Sequence, residues 1–218
     1  MKQLSLPVDE EFLTKTTEFF VTSCNEEAHK FLIDLYDPNN IPFSRIVLIG
    51  PKASGKSRLA KMWVGNGLYV NCRTDSLDIK VDRKYEKVVV DNFELSDETE
   101  LLHMINRCVD SGVVILLVGT SKIEFKIHDL TSRVNASYQL QIFPPDDDLV
   151  LMMIQEMCFL NKIKVNSTAL DFIKHNINFS TFTDLLSFKL CLQRLCEDNR
   201  MKLDVNILRQ AYDSWHRV

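Results

Sequence analysis

The run Gly50-Pro51-Lys52-Ala53-Ser54-Gly55-Lys56-Ser57 fits G-x-x-x-x-G-K-[ST], the pattern of a loop that cradles phosphates. Its chemistry follows from the residue types. Glycines let the backbone curl until several N–H groups point inward, and a helix starting at the end of the loop adds partial positive charge. Lys56 is placed to reach outer phosphates, and the Ser57 hydroxyl to take a position on a Mg²⁺ ion. With Arg58 these residues form the expected nucleotide-contacting set. The plain alternative is a Gly/Ser/Lys turn ahead of a surface helix. The flanks argue against it: Ile46-Val47-Leu48-Ile49 reads as a short buried strand and residues 58–63 as a helix.

Such a loop needs a carboxylate elsewhere to orient its metal. Asp91 closes the β-branched run Val88-Val89-Val90, where a Walker B aspartate would sit, so Ser57 and Asp91 are the expected metal residues. The next residue is Asn92, whose amide lacks the basicity of a carboxylate toward an attacking water. Glu94 is close by, with no direction fixed by an extended chain. Thr120 and Ser121 end a strand beside the expected phosphate site; they either sense an outer phosphate or begin a loop. Arg133 carries a planar, permanently charged fork suited to phosphoryl recognition, against the alternative of a surface ion pair. Near the start, Gln3-Leu4-Ser5-Leu6-Pro7 is an extended segment able to place alternate apolar side chains in a partner's pockets; the alternative is a frayed terminus.

The elements that must position these groups are an alternation of strands and helices. Helical spacing runs over 24–36, with Ala28, Phe31, Leu32 and Tyr36 on one side, and Asp37-Pro38-Asn39-Asn40 ends it. Strands are expected at 46–49, 68–72, 87–91, 112–120 and 139–142, with a helix over 97–110. After Phe143-Pro144-Pro145 the texture turns helical, at about 147–161, 167–177, 182–198 and 204–216, with Asp146 and Asp204 as N-caps. The fold class is α/β: a parallel-sheet nucleotide-binding domain over 10–143, preceded by a tail at 1–9 and followed by a small all-helical lid at 144–218.

Bulk composition narrows the function classes. The chain has 218 residues, 45% hydrophobic and 26% charged, ordinary for a globular protein. A net charge of −4 counts against a dedicated nucleic-acid binder. The six cysteines show neither C-x-x-C pairs nor zinc spacing and read as reduced, buried and cytoplasmic. No apolar run reaches the roughly 18 residues of a membrane span, and no signal-peptide core is present.

The order of these parts resembles the AAA+ ATPases of the DnaA branch. Phe20-Val21 followed by Asn25 is similar to that branch's initiator box, Asp129-Leu130-Thr131-Ser132-Arg133 to the stretch carrying its arginine finger, and Ile142-Phe143-Pro144-Pro145 to its domain junction. The resemblance spans nearly the whole chain, with 73–86 short and diverged. Within the branch the chain is most similar to the Hda-like regulators: Gln3-Leu4-Ser5-Leu6-Pro7 matches their sliding-clamp-binding motif, Asp91-Asn92 replaces two acidic residues, and the sequence ends at the lid without a helix-turn-helix domain. The resemblance implies ADP or ATP with Mg²⁺ as cofactors, and the DNA polymerase sliding clamp and the DnaA initiator as partners. It leaves room for a homodimer, without sequence-specific DNA binding. It also implies that Arg133 acts in trans on ATP bound to DnaA. One departure stands out: residues 176–188 hold no Lys or Arg where the family places a lid sensor arginine, the nearest candidates being Lys174, His175 and Lys189. Other classes are a self-sufficient helicase-loader-like ATPase and a nucleic-acid adaptor.

Overall fold

The computed structural model describes residues 19–34, 43–81, 84–120, 124–199 and 202–216. The tail motif Gln3–Pro7, Tyr36 with the 37–40 turn, and Ser121 lie outside the described residues. The chain divides into two compact units, one spanning Asn25–Phe143 and the other joining the segment up to Cys24 with Pro144–Val218.

The first unit is built on a five-stranded, all-parallel sheet of β1 (Arg45–Ile49), β2 (Leu68–Asn71), β3 (Lys87–Asp91), β4 (Val114–Gly119) and β5 (Tyr138–Gln141). The strand order is β2-β3-β4-β1-β5, which inserts β4 between the strands that end in the phosphate loop and in Asp91. The β-branched runs follow from burial on both faces: Val88, Val89 and Val90 are all fully buried. Val47, Val88, Val90, Ile115 and Leu117 share one core face with Leu101, Met104, Ile105 and Cys108 of α3 (Glu98–Ser111). Each such side chain contributes about 1.5–3 kcal/mol of burial. Asp97 starts α3 by accepting from the N–H groups of Thr99 and Glu100, and Gly112 ends it at φ 69°. On the other face α2 (Lys56–Val64) packs against β3 and β4.

The helix expected over 24–36 begins as α1 (Glu26–His29) and widens into a π-turn over Lys30–Asp34. In that winding Ala28 and Leu32 stay buried while Phe31 stacks on Tyr138 at 4.3 Å. A further helix, α4 (His128–Asn135), precedes β5 and has Leu130 as its buried anchor.

The second unit holds α5 (Asp147–Leu160), α6 (Ser167–Asn176), α7 (Phe182–Asp198) and α8 (Val205–His216). Its core joins Ile154, Leu185, Phe188, Leu192 and Leu208. Phe179 adds rings at 5.2 Å to Phe188 and 5.3 Å to Trp215. The helices start on side-chain caps: Asp146 for α5, Asn166 for α6, Thr181 for α7, and Asp204, which accepts from Ile207 N–H at 3.0 Å, for α8. Two very short strands, β6 (Lys164–Val165) and β7 (Lys202–Leu203), pair in parallel with each other; among the described residues the main sheet gains no strand here. The described residues 19–24 belong with this unit rather than with the sheet. Asp146 accepts from Ser23 Oγ at 2.7 Å and Cys24 N–H at 2.9 Å, fastening the segment to the start of α5.

Candidate functional site

The parallel sheet gathers its chemistry at the carboxyl ends of the strands, where open α/β sheets bind ligands. The phosphate loop leaves β1, Asp91 ends β3, and Thr120 follows β4. Gly50 is required where the loop begins, because a Cβ there would sit 2.8 Å from the Ile142 carbonyl oxygen. The loop then passes through positive φ at Ala53 (61°) and Gly55 (85°), and Gly55 caps α2. That curl aims the first N–H groups of α2 at the loop's hollow.

Lys56 lies inside the loop at 8% exposure, its Nζ donating to the carbonyls of Gly50 at 2.9 Å and Pro51 at 2.6 Å. Burial pushes its pKa down, while Asp91 and Glu94 pull it back up. Its ammonium therefore lies within electrostatic reach of both carboxylates. Gly50, Pro51, Lys52, Ala53, Ser54, Gly55, Lys56, Ser57 and Arg58 are thus gathered along one loop and the first turn of α2. The donor chemistry fits a nucleotide's phosphates.

Asp91 is buried at the end of β3. Its Oδ2 accepts from the hydroxyl of Tyr69 at 2.5 Å, and its Oδ1 from Asn92 N–H at 2.9 Å. Burial raises the phenol's pKa and Asp91 raises it further, so the proton stays on oxygen. Ser57 and Asp91 are oxygen donors of the kind Mg²⁺ takes when a nucleotide supplies the remaining ligands.

Beyond Asp91 the chain turns sharply. Asn92 is left-handed at φ 56°, ψ 42°. Its Nδ2 donates to Asn71 Oδ1 at 2.9 Å, and its Oδ1 accepts from Arg73 Nε at 3.1 Å. The turn swings Glu94 across to β4. There its Oε1 accepts from Thr120 at both the hydroxyl (2.8 Å) and the N–H (3.2 Å). Gly119 makes room for this, since a Cβ there would meet Phe93 and Glu94. Thr120 is therefore neither a bare loop start nor a free phosphate donor. Cys72 sits beside this cluster; burial and the nearby carboxylates push its thiol up to about 11, so it stays protonated at neutral pH. All six cysteines are free.

Arg133 lies on α4, apart from these groups in sequence and half-exposed, with its Nε 3.0 Å from Asp129 Oδ2 one turn earlier. Such an exposed pair contributes little and releases the guanidinium easily. In the helical unit, Lys189 is paired with Glu156 at 3.8 Å, both 11% exposed, while Lys174 and His175 face solvent. Among the described residues no group of three or more His, Cys, Asp or Glu side chains could hold a metal by themselves, and no helix is long and apolar enough to cross a membrane.

Sequence reasoning missed Tyr69, Asn71 and Arg73. The only signal was the two-residue period of β2, which puts Tyr69 and Asn71 on one face of the strand paired to β3, with Asn71 opposite Asp91.

No protein-family model and no curated protein sequence matches the chain. Solved structures do. Domain III of the replication initiation protein DnaA from Thermotoga maritima superposes with a TM-score of 0.68 at 17% identity, covering 90% of this chain and 94% of that one. AMPPCP-bound DnaA from Aquifex aeolicus gives 0.62 at 16% identity, covering 82% of this chain and 64% of that one. The Thermotoga maritima RuvB Holliday junction branch migration motor gives 0.65 at 13% identity, covering 89% and 70%. At these identities the likeness is one of fold, and the chain has the AAA+ α/β fold of DnaA domain III.

Proposed function

We propose that this protein is a nucleotide-binding AAA+ regulator of replication initiation, of the Hda-like kind, that activates a partner's ATPase more than it hydrolyses ATP itself. ADP or ATP sits on the loop Gly50–Ser57, with Lys56 on the phosphates and Mg²⁺, when bound, at Ser57 and Asp91. AMPPCP on the similarly folded Aquifex aeolicus DnaA supports a nucleotide in this loop.

The observation that carries the regulatory reading is the environment of Asn92. The position after Asp91 holds an amide fixed by Asn71 and Arg73, while Glu94 accepts from Thr120 through one oxygen, Oε1, and keeps Oε2 buried without a hydrogen bond. The site therefore keeps its phosphate-binding half while an amide stands at the position directly after Asp91, where it lacks a carboxylate's basicity toward water. The clamp recruits the protein through Gln3, Leu4, Ser5, Leu6 and Pro7, and Arg133 meets ATP held by DnaA. An arginine supplied in trans accelerates such hydrolysis by about 10³–10⁵.

The test is a reconstituted assay with clamp on DNA, ATP-loaded DnaA and each variant. Arg133→Ala should retain ADP and clamp binding while losing stimulation, because the guanidinium stabilises charge that develops in the transition state. Arg133→Lys should restore little, since a point charge cannot reproduce the fork. Full stimulation by Arg133→Ala would refute this role. A self-sufficient ATPase is the second reading; Glu94, close to Lys56 and the end of β4, is the residue that favours it.

A further inference from the structure

The hydroxyl of Tyr69 donates to the carboxylate expected to orient a nucleotide's divalent cation. The acceptor is Asp91 Oδ2, so the phenol already engages the carboxylate of the expected metal pair. The ring is itself fixed in place. Tyr69 belongs to β2, whose neighbouring register pairs Tyr69 with Val89 and Asn71 with Asp91, and Lys61 Nζ lies 5.2 Å from the ring centroid. The other oxygen of Asp91 is taken by Asn92 N–H. Each oxygen of the carboxylate thus accepts one hydrogen bond from the protein, and a cation on Oδ2 has to share that oxygen with the phenol or displace it. Mg²⁺ demands near-ideal octahedral geometry and gives up water reluctantly, so it competes poorly with a donor built into the neighbouring strand.

We propose that Tyr69 is an internal substitute for the metal: its hydroxyl and a divalent cation compete for Asp91, and the protein binds a nucleoside diphosphate with little dependence on Mg²⁺. This rests on the nucleotide-binding reading of the loop. Lys56 and the N-terminus of α2 supply the positive charge the phosphates need, and the cation is dispensable. Tyr69 thereby determines whether the site is metal-dependent, through Asp91 rather than through contact with the nucleotide.

The experiment is titration calorimetry of ADP into the full-length protein, in excess EDTA and in millimolar MgCl₂, for wild type and Tyr69→Phe. A hydrogen bond to an ionised group corresponds to roughly a ten- to hundredfold effect. Wild-type affinity should change less than about threefold between the two buffers, whereas Tyr69→Phe, which keeps the ring, should bind ADP about tenfold or more tightly with Mg²⁺ than without it. Wild-type affinity that rises tenfold with Mg²⁺, or Tyr69→Phe that is as indifferent to Mg²⁺ as wild type, would overturn the proposal. A second readout needs no variant: Mn²⁺ added to the protein–ADP complex, followed by its paramagnetic resonance signal, should be held no more tightly than by free ADP. Markedly tighter capture would sink the idea. Absence of ADP binding in both buffers would remove the nucleotide reading along with it, an outcome distinct from Mg²⁺-dependent binding, which removes only the role of Tyr69.

Discussion

Replacing Lys56 with alanine separates what this residue does for the loop from what it does for a ligand. In the structure its ammonium holds the carbonyls of Gly50 and Pro51 at 2.9 and 2.6 Å. Truncation leaves both carbonyls without that donor, but it also relieves the burial of a cation. The net loss of stability should be small, about 1–2 kcal/mol, which lowers the melting temperature by roughly 2–4 °C per kcal/mol for a chain of this size. The effect on binding should be larger. A desolvated, charge-assisted contact to phosphate is roughly twice as strong as a neutral one; losing about 2–4 kcal/mol weakens ADP and ATP binding by about 30- to 1,000-fold. Lys56→Met keeps the apolar stem and should show the same binding loss with less destabilisation. Titration calorimetry and thermal melts on the three proteins give both numbers. Unchanged affinity for ADP and ATP in Lys56→Ala would refute the assignment of the loop as a phosphate site.

Three other expectations are equally direct. The isolated protein should turn over ATP at less than about 1 s⁻¹, below the usual enzyme range; a faster rate in a phosphate-release assay would show that Glu94 or another group replaces the missing carboxylate. Replacing both Gln3 and Leu6 with alanine should eliminate clamp association in a pull-down while leaving the melting temperature nearly unchanged, because an anchor filling a partner pocket contributes about 1.5–3 kcal/mol to binding. Asp146→Ala should cost about 1 kcal/mol of stability at neutral pH through loss of the α5 cap. Burial alone would raise the Asp146 pKa, but hydrogen bonds from Ser23, Leu149 N–H, Thr22 and Cys24 N–H outweigh it and hold the group below its ordinary value. Its contribution is thus present above the unfolded value of about 3.9 and fades as pH falls through the lower folded value, so wild-type and variant melting curves should converge in acid.

The parts of the fold that were legible in the sequence are those set by burial over a continuous stretch. Val88, Val89, Val90 and Asp91 announce β3 because a strand covered on both faces has no alternative composition. The stripe Leu185, Phe188, Leu192 announces α7 because a helix with one buried face must repeat at that spacing. Where tertiary contacts decide, the sequence was mute. α4 is short and buries Leu130 alone, so its periodicity is too weak to read, although the spacing of Asp129 and Arg133 is helical. The direction of Glu94 depends on the left-handed turn at Asn92, and the meeting of Tyr69 with Asp91 depends on strand register. Neither follows from local propensity.

The left-handed backbone at Asn92 also limits how this site could be turned into an efficient ATPase. Asn, Asp and Gly enter that conformation readily; a longer acidic side chain does so at a cost of roughly 1–2 kcal/mol. Glutamate at this position would therefore strain the turn and displace the amide from Asn71 and Arg73. Aspartate would keep the turn but would lie against the Arg73 guanidinium, which occupies the amide oxygen's side at 3.1 Å. An adjacent positive charge lowers a carboxylate's affinity for protons and makes it a poorer base. On the proposed reading, raising turnover through position 92 would require changes at both 92 and 73. Low hydrolytic capacity would, on that reading, be held by main-chain geometry and a neighbouring charge together, which would make it robust to single substitutions at position 92.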